Sequence, residues 1–551
     1  MSNTSDTPKT VPLPSESSPF SEMQLHRLFL AIIAGLPFIL FISLLDNGPF
    51  NIDDRHYLEL NPLANRPSLD SFFDLFNPFG AYSIETSEYL PIFTLSLALA
   101  SFIPGDPFFG QHLLNVILYA GLCSLLFLVV KRHVPLLIAF CSIVLFTVHP
   151  LHIEAIAWVV ARADLLMYFF SVSALVVLHA SIGQPTLRFI LALGLWALAT
   201  FSKQTPGLFL LLAAYLFVFK KNDLRTWVLT AAPFGAISAI GTLLTFSAGT
   251  LNRMEPTSIL LWERPLYSGL LVQRYLVQSI APLNLSFYYT PFPSLSSIWV
   301  ELLCSGILIG TLIAGFLLSS SARRHVFLVP LFLFPLLPTL QLIPFNIMQS
   351  NRYAFLSILA VTLAVTQILH HLASKRAFLI GCGIYSLLLT ALSIGEVVLW
   401  ERNVLVWQNA VKETNAPFAH YHLGRAYLEE NDDQRALASF LTVLNVAPTH
   451  QKSYERAAEI YSRTGRLQKA EELLRIGLKE TSSDLLKMHL ANILAQTGQV
   501  KEATRLLCED AIRDSTLQDD YISLRKHLHI VCDKPIKPPL SNTSVEAKGS
   551  K

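Results

Sequence analysis

Charge is what this chain has least of. Only 39 of its first 400 residues are Asp, Glu, Lys or Arg, whereas the last 151 carry 41. So little charge excludes an ordinary water-soluble domain for the first part, whose composition is that of a membrane protein; the remainder reads as a soluble domain. A charge excess is also missing. The formal balance is +2 with no basic block outside short loops, which argues against nucleic acid as the main partner. Cysteine is scarce as well. Of six, Cys123, Cys141, Cys304 and Cys382 lie in apolar runs and read as packing residues, Cys508 and Cys532 sit in the soluble part, and no CxxC pair marks a metal knuckle.

What the chain does have is long apolar runs, and a membrane helix needs about 20 such residues. The runs predict eleven spans near 26–45, 109–130, 134–149, 165–182, 187–202, 205–219, 226–247, 298–318, 326–344, 353–372 and 377–399. The first run has no small-residue cleavage site before Asp46 and reads as an uncleaved anchor behind a disordered, Ser/Pro-rich cytoplasmic segment, 1–24. Positive charge concentrates on the cytoplasmic side. The pairs Lys131-Arg132, Lys220-Lys221, Arg323-Arg324 and Lys375-Arg376 all fall there only if Tyr89–Ile103 and Pro265–Leu283 lie in the interface without crossing. The transmembrane domain then covers 25–400, with 46–108 as its first outer loop. Loops 149–164, 248–297 and 345–352 and the C-terminal domain also face outward, away from the cytoplasm.

The soluble part, 401–530, repeats itself before a disordered tail, 531–551. Gly424 and Ala458 are 34 apart, as are Ala436 and Ala470, Phe440 and Leu474, and Tyr427 and Tyr461; a further copy follows at 33, with Gly465 to Gly498 and Ala470 to Ala503. Small residues at these points let paired helices pack closely. This resembles tetratricopeptide repeats, about three of them over 416–515, an array that binds a protein partner along one face. In an oxidising space Cys508 and Cys532 could pair, although their spacing does not fix the geometry.

Polar residues that persist at the mouth of apolar runs are the candidates for chemistry. The stretch "VHPLHIEAIAWVVARADLLMYF", 148–169, holds His149, His152, Glu154, Arg162 and Asp164. Its bland readings are a snorkelling Arg162, a capping Asp164 and a structural His149. His149, His152 and Glu154 could ligate a metal, but three ligands within six residues behind a proline make a poor closed site, so no metal or other cofactor is assigned and a divalent ion is disfavoured. Asp53-Asp54, just past the anchor, are either solvated loop residues or a carboxylate pair able to act as a general base. Lys203 in "ATFSKQTPG", Arg274 and Arg352 are each possible interfacial anchors. Together they place cations and acids on one face, as a site would that binds a lipid-linked phosphate while a carboxylate activates an acceptor.

The order of these elements is familiar. An outer-loop acidic pair, "EYLPIFTLS", "QHLLN", "HPLHIEAIAW…ARADLL", "SKQTPG" and "NRYAFLS" precede a repeat tail. The pattern resembles the transmembrane-and-tetratricopeptide-repeat O-mannosyltransferase family of the GT-C glycosyltransferases, from about residue 26 to 515. The resemblance implies an all-α protein, a GT-C-like membrane helix bundle of about eleven spans followed by a repeat solenoid. It implies transfer of a sugar, mannose in the family, from a polyprenyl-phosphate donor to an acceptor hydroxyl on protein or glycan, with protein Ser/Thr expected. In its terms Asp53 is the base and Asp54 assists. Arg162, Asp164, His149 and Glu154 line the cavity, and Lys203, Arg352 and Arg274 face the donor phosphate. Where the family often carries an arginine before a proline, this chain has Leu90-Pro91. Two other readings stay open: a non-enzymatic scaffold that uses its repeats to assemble an envelope complex, and a lipid-linked oligosaccharide ligase or polymerase.

Overall fold

The computed structural model describes residues 21–181, 183–219, 223–248, 260–289, 327–342, 349–508 and 517–530, with positions 299, 303, 306 and 532. Lys220-Lys221, Arg323-Arg324, Cys304, nearly all of the expected span 298–318 and most of the two expected disordered ends lie outside the described residues, as do parts of loops 248–297 and 345–352. Every regular element among the described residues is helical. The first helix starts at Glu22, inside the segment expected to be disordered to residue 24, because Ser21 and Gln24 form a capping box.

Ten of the expected spans fall on helices, wholly or in part, but length separates them. Glu22–Leu40, Phe109–Val130, Leu224–Ser247 and Lys375–Trp400 are long and apolar enough to cross a membrane. A fifth crossing is possible if Leu136–Thr147 and Pro150–Ala157, bent by 55°, count as one span. Length and composition alone therefore support four or five crossings among the described residues, and not eleven. The helices Arg162–Leu178, Pro185–Thr200, Pro206–Phe219 and Ser357–Leu372 have 17, 16, 14 and 16 residues. At about 1.5 Å per residue they fall short of a hydrocarbon core about 30 Å thick.

For three helices the shortfall lies at the polar stretches. Leu136–Thr147 stops before His149; Arg162–Leu178 starts only after the irregular 158–161; Ser357–Leu372 follows the 3-10 turn Asn351–Ala354. Irregular backbone in such a bundle survives only where protein buries it or where it lines a wet cavity. Buried side chains answer its loose carbonyls. Asn115 donates to Ile156 O at 2.9 Å, Tyr119 to Thr147 O at 2.9 Å and Ser393 to Val148 O at 2.7 Å. Around this girdle the helix 162–178 packs on 185–200 and 109–130, while 22–40 packs on 109–130 and 357–372 on 328–336.

The tail is a stack of helical hairpins: Pro417–Glu429 with Asp433–Val446, Gln451–Arg463 with Leu467–Thr481, and Asp484–Gln496 with Val500–Cys508. Their turns place Asn431, Gly465 and Gly498 in the left-handed region, at φ of 59°, 74° and 80°. Gly424 is required where it stands, since a Cβ there would lie 2.7 Å from the Phe440 ring. Cys508 and Cys532 form a disulfide, their Cα atoms 5.4 Å apart, tying the last hairpin to the chain beyond helix Gln518–His527. One continuous core runs from Phe29 in the first helix to Ile460 in the second hairpin; a second occupies the distal tail.

Candidate functional site

The loop after the first helix is irregular from Asn47 until Asp53 caps the helix Asp54–Leu60. Asp54 is fully buried. Its Oδ2 accepts the Phe50 N–H at 2.9 Å and its Oδ1 the Val160 N–H at 3.0 Å. Burial, and then the charge of Asp53, push its pKa up to about 7, against the pull of the backbone amides. Asp53 is only partly buried, and its Oδ1 accepts the Trp158 indole N–H at 3.2 Å. The two neighbours thus differ. One carboxyl is sealed into the backbone, and the other is open enough to meet a substrate.

Trp158 also carries a cation. The Arg352 guanidinium lies 4.5 Å from its ring centroid. Arg352 Nη1 donates to Glu154 Oε1 at 2.5 Å, and its Nε lies 3.8 Å from Asp164 Oδ2. The same Glu154 takes the Asn351 N–H at 3.0 Å and the Ser350 hydroxyl. Asp164 accepts Lys203 Nζ on both oxygens at 2.7 Å. Segment 154–164 is therefore the spine of the site. It connects Asp53 and Asp54 on one side to Arg352, and through Asp164 to Lys203, on the other. Lys203 is placed by a chain of hydroxyls in its turn, Thr200 to Thr205 at 3.0 Å and Thr205 to Ser238 at 2.9 Å. Both cations are held by carboxylates, but not equally. The Lys203 side chain keeps 30% of its surface exposed and spends two of three N–H donors on Asp164, whereas Arg352 is 10% exposed and Glu154 fully covered.

Two of the expected cavity residues, Arg162 and His149, have their hydrogen-bond partners outside that cluster. Arg162 is fully buried and donates to Asn115 Oδ1 at 2.6 Å, Gln111 O at 2.7 Å and Ser96 O at 3.2 Å. It pins the helices Pro91–Ser101 and Phe109–Val130 rather than joining Asp164, because two residues along a helix point about 200° apart. His149 is buried between the Leu151 N–H, accepted by Nδ1 at 3.3 Å, and Ser279 O, reached by Nε2 at 3.1 Å. Both ring nitrogens of His152 are likewise engaged, with Tyr119 and Phe355 O. Arg274 sits partly buried on the helix Arg264–Ile280, whose Tyr275 hydroxyl contacts Ser350 O at 3.2 Å. No group of three or more His, Cys, Asp or Glu side chains is arranged to hold a metal ion among the described residues.

The bundle also holds an apolar cavity of about 310 Å³, lined by none of the charged residues of the cluster. Leu356, Leu208 and Ser171 line it, four to seven residues beyond Arg352, Lys203 and Asp164, and it extends to His133 and Phe327 at the opposite end of the bundle. Residue types at the membrane boundary pointed to the charged members of the site but not to Trp158, Asn115 or Asn351. All three lie inside the stretches that carry the family resemblance, which is the signal that could have found them.

The sequence matches the tetratricopeptide repeat family over residues 419–452. It is 28% identical to a protein O-mannosyl-transferase of Caenorhabditis elegans over 303 residues, 52% of this chain and 42% of that protein. It is 33% identical to one of Drosophila melanogaster over 160 residues, 28% of this chain and 18% of the relative. It is 32% identical to one of Mus musculus over 144 residues, 25% and 15% respectively. The chain thus spans less than half the length of each curated relative it matches. It is homologous in part to the transmembrane-and-tetratricopeptide-repeat protein O-mannosyl-transferases, and it carries a tetratricopeptide repeat.

Proposed function

We propose that this protein is an integral-membrane glycosyltransferase that moves a sugar, mannose by analogy with its relatives, from a polyprenyl-phosphate donor to a protein Ser/Thr hydroxyl on the extracytoplasmic face. The observation that carries this reading is the shared indole: Trp158 binds Asp53 at its edge and Arg352 on its face, so a candidate base and a candidate phosphate cation stand one ring apart. In the reaction Asp53 takes the acceptor hydroxyl proton, the oxygen forms a bond to the anomeric carbon, and the bond to phosphate breaks with its electron pair leaving on the polyprenyl phosphate. Lys203 and Arg352 stabilise that leaving charge. Glu154 and Asp164 hold the cations in place beforehand, and Asp54 fixes its neighbour through the backbone. The apolar cavity in the bundle, whose lining includes residues four and five positions beyond Arg352 and Lys203, offers apolar surface of the kind a polyprenyl chain needs. The direct test is to incubate purified protein with a panel of polyprenyl-phosphate sugars: release of the lipid phosphate from one of them supports the assignment, and no release from any donor in the presence of acceptor peptides refutes it.

Lys203 is the cation best suited to meet a ligand, being the more exposed. Lys203→Gln should fold normally and bind the donor about 1.5–3 kcal/mol more weakly. Unchanged affinity for polyprenyl phosphate, measured on the folded variant, would leave Lys203 only as the partner of Asp164.

For the membrane arrangement we retain eleven spans, the short helices crossing with their outer ends unwound around the site, and a tail outside the cytoplasm. The Cys508–Cys532 disulfide supports that placement, because structural disulfides persist in oxidising compartments. A reporter active only in the cytoplasm, fused after Lys551, should be silent; activity there would turn the site inward. On the tail, the hollow of about 360 Å³ bordered by Met488, His489, Asn492 and Asp520 is where a protein partner or acceptor segment would bind.

A further inference from the structure

The first helix after the bundle, Asn403–Glu413, belongs to the same core as the membrane helices. Its Trp407 is fully buried. Phe50 stacks against it with ring centres 5.8 Å apart, His422 covers it at 4.8 Å, and Phe287 meets it edge-on at 5.3 Å. The indole N–H donates to Asn51 Oδ1 at 2.8 Å, and Asn51 Nδ2 donates to His422 O at 3.4 Å. Two residues before Asn51, Pro49 O accepts Asn403 Nδ2 at 3.1 Å, and Asn47 Nδ2 donates to Trp400 O at 2.9 Å. The loop from Asn47 to Asn51 has no helix or strand of its own to satisfy its polar groups, so these contacts decide its shape. That shape matters because the Phe50 N–H is the donor that Asp54 Oδ2 accepts.

The same helix also touches the cation side. Asn409 Nδ2 donates to Leu285 O at 2.7 Å, and Asn351, next to Arg352, donates from Nδ2 to Ser286 O at 3.1 Å. We infer that Trp407 is a positioning residue for sugar transfer: by fixing Phe50 and Asn51 it sets where Asp53 and Asp54 stand, and the start of the tail is a wall of the transfer centre. This rests on the carboxylate pair being the reacting centre, as proposed above.

The test uses the full-length protein with Trp407→Phe, which keeps an aromatic ring but removes the N–H, and with Asn51→Ser, whose shorter side chain draws the acceptor oxygen back from the indole N–H. Each should lower kcat about tenfold, or about 1.4 kcal/mol, with KM for the polyprenyl-phosphate donor within about twofold of the parent. Hydrogen exchange should quicken in the peptide spanning 47–57 while the helix Phe109–Val130 keeps its protection. A kcat per folded molecule equal to the parent's, with unchanged exchange at 47–57, overturns the inference, as does a change confined to KM. If Trp407→Phe does not fold, Asn51→Ser decides by the same readouts. Asp53→Asn serves as control. If it is inactive while both variants match the parent, only the positioning role fails; if it too transfers at the parental rate, the carboxylate reading fails.

Discussion

Replacing Asp53 with Asn is expected to lower turnover by about 10²–10⁴-fold while the protein folds and still binds its donor. The amide cannot take the proton of an attacking hydroxyl, yet its oxygen can still accept the Trp158 N–H that Asp53 Oδ1 accepts. The partly exposed position adds no burial cost. Asp54→Asn differs in kind. Both Asp54 oxygens receive backbone N–H groups, so an amide there must turn its own NH₂ toward Phe50 N or Val160 N. One buried donor then faces another, at a cost of about 1–3 kcal/mol, and the loop itself should loosen. Activity assays and thermal unfolding on the two variants separate these outcomes. Asp53→Asn at parental turnover removes Asp53 as the base, and Asp54→Asn with parental stability removes the structural role given to Asp54.

Arg352→Gln should cost more in stability than any single change elsewhere in the site. Arg352 covers Glu154, which has no exposed side-chain surface, at 2.5 Å. Removing the guanidinium leaves a carboxylate buried beside Asp164 with only the Ser350 hydroxyl and the Asn351 amide as partners. Breaking one side of a buried pair typically costs about 3–5 kcal/mol. A double change, Arg352→Gln with Glu154→Gln, should recover much of that loss but not donor binding. Lys203→Gln, at the exposed cation, should unfold near the parental temperature. If Arg352→Gln unfolds there too, the pair is not a buried one and Arg352 returns to being an interfacial anchor.

How much of this was visible in the chain depends on how local each signal is. The membrane part and the tail separate by charge density alone, and the run at 109–130 coincides with a helix because it has neither a proline nor a charged residue. The repeat was legible because Gly424, Ala436, Ala470 and Ala503 must be small wherever paired helices touch. Helix lengths around the site were not legible. His149, Trp158 and Asn351 sit in backbone that leaves the helix, and hydropathy does not register that. Asp53, Glu154, Asp164, Lys203 and Arg352 stood out because charge is expensive beside apolar runs. The direction of Arg162 did not, since it depends on where the helix begins. Trp158 reads by type as an interfacial anchor, and the Asn51–Trp407 contact joins residues 356 apart, with no local pattern to announce it.

Transfer of a sugar from a lipid phosphate is the activity proposed for the carboxylates and cations gathered on segment 154–164. Its most direct measurement uses purified protein, a polyprenyl-phosphate mannose labelled in the sugar, and Ser/Thr-containing acceptor peptides. Label is expected on a peptide hydroxyl, releasable by β-elimination, in a one-to-one ratio with the polyprenyl phosphate set free, and both signals should be lost in Asp53→Asn. Donor left intact by the parent protein, or equal transfer by parent and Asp53→Asn, would contradict it.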